Sequence, residues 1–107
     1  MIVVLFRSKL TEAAADGYVD MATEMLARAK EMPGFIDFKS YKSDDGERLS
    51  IIRWQDEVTL SHWRNDLRHR VAQQAGREKW YEYYKIEITQ VIRESHFERP
   101  KSATGSR

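Results

Sequence analysis

Residues 35–54, FIDFKSYKSDDGERLSIIRW, decide how this chain is built. Two runs rich in aromatic and β-branched residues, 35–42 and 48–54, flank a polar step that contains Asp45-Gly46. Asp-Gly is the dipeptide that a tight reversal between antiparallel strands needs, so the segment reads as a β-hairpin closing across 43–47. Asp44-Asp45 also has the composition of a metal loop. No later glutamate falls at calcium-loop spacing, however, and turn formation is the role these residues serve.

Upstream of the hairpin, residues 2–8 form an apolar, β-branched run that reads as a buried strand. Val3 and Leu5 point to one face while Ile2, Val4 and Phe6 point to the other, so both faces need cover. Thr11 can cap the helix that follows. Its apolar stripe is Ala14, Tyr18, Ala22, Met25, Ala29 and Met32, spaced by threes and fours over about five turns. Pro33-Gly34 stops it. Met21, Met25 and Met32 read as helix face and core filling.

Downstream, Asp56 is an N-cap after the hairpin, with Glu57 in the first turn. Leu60, Trp63, Leu67, Val71 and Ala75 trace one helical stripe, with a bend or break at Asn65-Asp66 and a stop at Gly76. A final strand runs from Trp80 or Tyr81 to about Glu94, with Tyr84, Ile86, Ile88 and Ile92 on one face. The domain is expected to span residues 1–96, and the polar residues 97–107 read as a flexible tail.

The order is therefore strand, helix, strand, strand, helix, strand. It predicts an α+β, ferredoxin-like split βαβ fold: a four-stranded antiparallel sheet with both helices on one face. The helices leave the other face bare although the first strand is apolar on both sides. A second copy packed sheet on sheet is the economical cover, so a homodimer is predicted.

Composition removes several function classes. The 107 residues make one domain, and 18 basic against 17 acidic side chains leave a net charge of +1. Nothing in that balance points to nucleic acid or to an anionic membrane. The chain has no cysteine, which removes disulfides, thiolate metal sites and a cysteine nucleophile. The opening MIVVLFRSKL is too short an apolar run for a signal or a membrane span, and a cytoplasmic location is the expectation. No phosphate loop, HExxH, GxSxG or dinucleotide fingerprint occurs.

Candidate chemistry concentrates between Trp54 and Tyr84, which hold all three tryptophans of the chain. Aromatic walls beside a few polar tips suit a small-molecule pocket, although they suit an ordinary core as well. His69, set between Arg68 and Arg70 beyond Trp63, could be an acid–base group or an iron ligand; a local hydrogen bond on a half-exposed helix is the plainer alternative. Trp63 could be a pocket wall or core packing. Arg7, at the end of an apolar strand, could reach an anionic or enolate-like group or simply be solvated at the sheet margin. His62, beside Trp63 in sequence, should face solvent, and His96 opens the polar tail. The three histidines share no metal-ligand spacing. Arg64, Arg68, Arg70, Arg77 and Lys79, against Asp66 and Glu78, could attract an acidic ligand or be solvated helix surface.

The sequence SHWRNDLRHRVAQQAGREKWYEYYKIEI, above all Trp63, His69, Gly76, Trp80-Tyr81, Tyr84 and Ile86-Glu87-Ile88, resembles the antibiotic biosynthesis monooxygenase family, and with Pro33-Gly34-Phe35 the resemblance spans residues 1–95. It implies a dimeric α+β barrel with a pocket between sheet and helices in each subunit. It also implies oxygenation of a small aromatic, polyketide or quinone-like substrate by dioxygen, without metal or flavin. In that chemistry His69 would be the base, Trp63 the wall and hydrogen-bond donor, and Arg7 or Asn65 the group that stabilises the substrate anion. A haem-degrading branch resembles the chain at Trp63. It carries an asparagine where Arg7 or Ser8 stands here and a histidine ligand where Gln73 stands, so haem is disfavoured. A fold retained for non-catalytic ligand binding or a stress-associated role is the other alternative.

Overall fold

The computed structural model describes residues 1–12 and 17–101, with only the backbone of Leu67, Arg68 and Arg70. Its elements are β1 (Ile2–Leu10), α1 (Tyr18–Glu31), β2 (Phe35–Lys42), β3 (Arg48–Trp54), α2 (Glu57–Arg64), α3 (Leu67–Ala75) and β4 (Tyr81–Gln90). The four strands form one sheet in the order β2-β3-β1-β4, with every neighbour antiparallel. This is the predicted ferredoxin-like α+β arrangement.

Register decides what each sheet face carries. Val4 lies between Ile52 and Ile88, Phe6 between Ser50 and Ile86, and Ser8 between Arg48 and Tyr84. These residues face the helices, and Ile2, Val4, Trp54, Leu60 and Ala29 close the core there. The odd-numbered residues of β1 face the other way beside Leu49, Ile51 and Arg53. At the hairpin, Ser43 N–H donates to the Glu47 carbonyl and Gly46 takes a positive φ of 92°, as the Asp-Gly step requires.

Two expectations need correction. α1 begins at Tyr18, not near Thr11, because Gly17 before it has φ 92°. Thr11 instead donates its N–H to the Trp80 carbonyl at 2.8 Å and its hydroxyl to the Lys79 carbonyl at 2.8 Å, tying the end of β1 to the entry of β4. Ala14, the first residue of the expected stripe, lies outside the described residues. Secondly, β4 ends at Gln90, not near Glu94, because Ile2 opposite Gln90 is the first residue of its partner strand. One further bond, Val91 N–H to the Met1 carbonyl, exhausts the ladder, and Ile92 is 97% exposed. Gly76 ends α3 as expected, though not as a left-handed cap. Its φ of −61° and ψ of −46° carry the chain into a π-turn, Gly76–Trp80, closed by Tyr81 N–H on the Gly76 carbonyl.

Candidate functional site

The space between the sheet and the three helices is a cavity of about 700 Å³, lined mainly by apolar side chains. α1 presents Tyr18, Met21, Ala22, Met25 and Ala29 to it, so two of the methionines expected to fill core instead form a cavity wall. The polypeptide break at Asn65-Asp66 sets the opposite wall. The Asp56 carboxylate accepts from Thr59 N–H at 2.9 Å to start α2, and Asp66 accepts from His69 N–H at 3.1 Å to start α3. Asp66 also binds Arg28 of α1 at 2.7 Å, so one carboxylate joins the α2–α3 elbow to α1.

That elbow changes the face α3 offers. Its cavity side is His69, Ala72 and Gln73, while Val71, expected on the apolar stripe, is 45% exposed. A periodic apolar pattern finds a core-facing stripe, whereas this wall borders a cavity and carries polar residues at the same helical spacing. Gly76 continues the spacing, buried, where a Cβ would come 2.7 Å from the Tyr81 ring.

His69 and Trp63 meet in this cavity. The imidazole stacks on the indole with centroids 4.3 Å apart at 22°, and Trp63 in turn stacks on the fully buried Trp54 at 6.1 Å. Burial lowers the His69 pKa, with the neighbouring Trp63 backbone and Asp66 opposing and Arg64 assisting. The imidazole is therefore neutral near pH 7. Its Nδ1 is buried with no hydrogen-bond partner among the described residues. A neutral imidazole that lines a cavity can take a proton from a bound molecule through a ring nitrogen the molecule can reach.

The other two expected site residues lie elsewhere. Arg7 is on the opposite sheet face, where Nη2 binds Glu47 at 3.0 Å and the same carboxylate accepts from Tyr83 at 2.6 Å. The alternation of β1 that turns Ser8 inward turns Arg7 outward. Asn65 is the exposed C-cap of α2, with its backbone N–H on the Ser61 carbonyl. His62 and His96 are exposed, as expected. Of the basic run, Arg64 borders the cavity, while the side chains of Arg68 and Arg70 lie outside the described residues.

At the far end from Trp54, a second aromatic group closes the cavity. Tyr81 packs edge-on against Phe6 at 5.5 Å and Tyr18 at 5.9 Å, and Tyr84 lies 5.7 Å from Tyr81. Burial raises the Tyr81 pKa well above the ordinary phenol range, assisted by Tyr18 and opposed by Arg48, so Tyr81 stays a neutral hydroxyl. Arg48 and Ser8 were not expected in the site, yet both line it. Their signal was strand alternation: once Trp54 faces inward, Ile52, Ser50 and Arg48 must do so too.

The profile of the antibiotic biosynthesis monooxygenase family matches residues 1–75. The chain belongs to that family. Among its family relatives, YqjZ, an uncharacterized protein of Bacillus subtilis, is 32% identical over 89% of this chain and 82% of its own length. Jasmonate monooxygenase ABM of Pyricularia oryzae is 32% identical over 85% of this chain, which spans only 43% of that protein. The family fold recurs in SnoaB, a cofactor-independent oxygenase from Streptomyces nogalater, with TM-score 0.74 and 14% identity over 87% of this chain and 94% of SnoaB. It recurs also in Rv0793 of Mycobacterium tuberculosis, with TM-score 0.76 and 16% identity over 89% and 98% of the two chains.

Proposed function

We propose that this protein is a cofactor-independent monooxygenase acting on a small aromatic, polyketide or quinone-like molecule held between sheet and helices. The observation that carries this reading is His69: a neutral imidazole stacked on Trp63 and lining an apolar cavity. Family membership supports it, as do a relative named as a monooxygenase and a neighbour of the same fold named as a cofactor-independent oxygenase.

In the proposed reaction the His69 imidazole takes a proton from an activated ring carbon or hydroxyl. The electron-rich anion passes one electron to dioxygen, and the resulting radical pair joins as a peroxide bonded to that carbon. Protonation by the imidazolium gives a hydroperoxide. Loss of water across its C–H and O–O bonds leaves a carbonyl, so one dioxygen converts CH₂ into C=O and H₂O. The apolar walls keep bulk water from the intermediate, and the Trp63 indole supplies a face for the ring.

Dioxygen uptake with dihydroxy-aromatic substrates tests this. His69→Ala should lower kcat by about 10²-fold or more, the usual contribution of a positioned base, and Trp63→Phe should weaken substrate use. Equal rates in wild type and both variants would remove the two residues from the mechanism.

The proposed working unit is a homodimer. On the sheet face away from the helices, Val3, Leu5, Leu49 and Ile51 form a half-exposed apolar centre among charged neighbours. A second copy of the same sheet is the cover that this face fits.

A further inference from the structure

We infer that the substrate carries an anionic group, a carboxylate or its equivalent, and that Arg48 is the residue that holds it. This inference rests on the oxygenase site proposed above and adds to it the class of molecule the cavity selects.

Among the described residues lining the cavity there is no carboxylate, and the formal charges are two arginines, Arg48 and Arg64. Arg64 sits exposed at the end of α2, whereas Arg48 is half-buried on the sheet. Three other sheet cations have acidic partners: Arg7 with Glu47, Arg53 with Asp37, and Lys85 with Glu87. All of those pairs lie on the face turned from the cavity. Arg48 has no ion pair among the described residues, although it is the sheet cation that lines the cavity. A half-buried guanidinium with unused donors is costly unless something arrives to accept from it.

Its surroundings suit an anion. Ser8 is directly across the ladder, 1% exposed, with no side-chain partner among the described residues. The neutral Tyr81 hydroxyl lies within the field of Arg48. Arg48, Ser8 and Tyr81 line the same end of the cavity, where the Tyr81 hydroxyl is hydrogen-bonded to Tyr18. His69 and Trp63 are at the other end, against Trp54, six residues farther along β3. Six strand residues span about 20 Å, less the inward reach of the side chains. The cavity therefore fits an elongated acid whose charged end and oxidised ring are separated by several bonds.

The experiment measures equilibrium binding under anaerobic conditions by tryptophan fluorescence, with anthraquinone-2-carboxylate and its uncharged carboxamide as the paired probes. Wild type should bind the acid at least about tenfold tighter than the amide, the margin expected of a bidentate charge-assisted contact. Arg48→Gln should bring the acid's affinity down to about that of the amide, and Arg48→Lys should restore part of the preference. Circular dichroism establishes that each variant is folded. Equal affinities for acid and amide in wild type would overturn the inference, as would a preference that survives in Arg48→Gln. Because no turnover is involved, the outcome is separable from the reaction. Acid preference without dioxygen uptake keeps the anchor and removes the oxygenase reading. Dioxygen uptake without acid preference does the reverse.

Discussion

Asp66 is the residue on which the site geometry turns, because its one carboxylate starts α3, fixes the backbone of His69 and binds Arg28. Asp66→Ala should cost about 1 kcal/mol for the lost cap and should lower turnover beyond what that loss of stability explains. Asp66→Asn retains a capping oxygen and should preserve more of both, as read from urea melts and dioxygen uptake. His69 gives a pH signature with a defined sign. Its folded pKa lies below 6.5, so the unfolded chain binds the proton first. Stability from the neutral buried imidazole is present above the unfolded pKa and is lost as pH falls through 6.5 toward the folded value. Between pH 7.5 and pH 5, wild type should lose more stability in urea than His69→Gln does. Gly34 makes a purely steric prediction. Its φ is 88° and a Cβ there would lie 2.3 Å from Thr59. Gly34→Ala should therefore destabilise by about 3 kcal/mol, from backbone strain and overpacking together.

At the scale of elements, the hairpin and the strand faces were legible because their signals are local: Asp45-Gly46 for the turn, and period-two alternation for the inward set. The Asn65-Asp66 break was legible for the same reason, since a capping aspartate follows it. The start of α1 was not. A favourable cap at Thr11 lost to two hydrogen bonds from residues 68 and 69 positions away, and no local pattern reports such bonds. The cavity wall of α3 was hidden differently. A reader of apolar periodicity selects Val71, whereas the wall needs His69 and Gln73, which look like surface. Arg7 proved to point away from the cavity and Arg48 toward it, because inward and outward positions on a strand differ by one residue and β1 is apolar on both faces. A test of the corrected wall is Ala72→Trp. It should fill the cavity, abolish binding of aromatic probes and leave Val71→Trp, on the exposed side, close to wild type.

For the whole molecule, the two faces of one sheet divide the work. The helix side holds the cavity, and the other side holds an apolar centre ringed by ion pairs. If that centre is a subunit interface, Leu5→Glu places like charges across the two-fold axis and should yield monomers by light scattering, while wild type elutes as a dimer. Because Val4 and Phe6 line the chamber from the same strand, the monomeric variant should also bind aromatic probes less tightly. A variant that stays dimeric would locate the interface elsewhere.

The π-turn at Gly76–Trp80 has a consequence for the chain's arithmetic. An i→i+5 loop holds one residue more than an α-helical turn, and the strand that follows counts in twos. Deleting any one residue there would let the helix run on smoothly, yet it would invert the parity of β4. Tyr84, Ile86 and Ile88 would exchange places with Tyr83, Lys85 and Glu87, moving charge into the chamber and grease into the outer face. The single surplus residue is thus a phase setting, and natural length variation in this protein should avoid it.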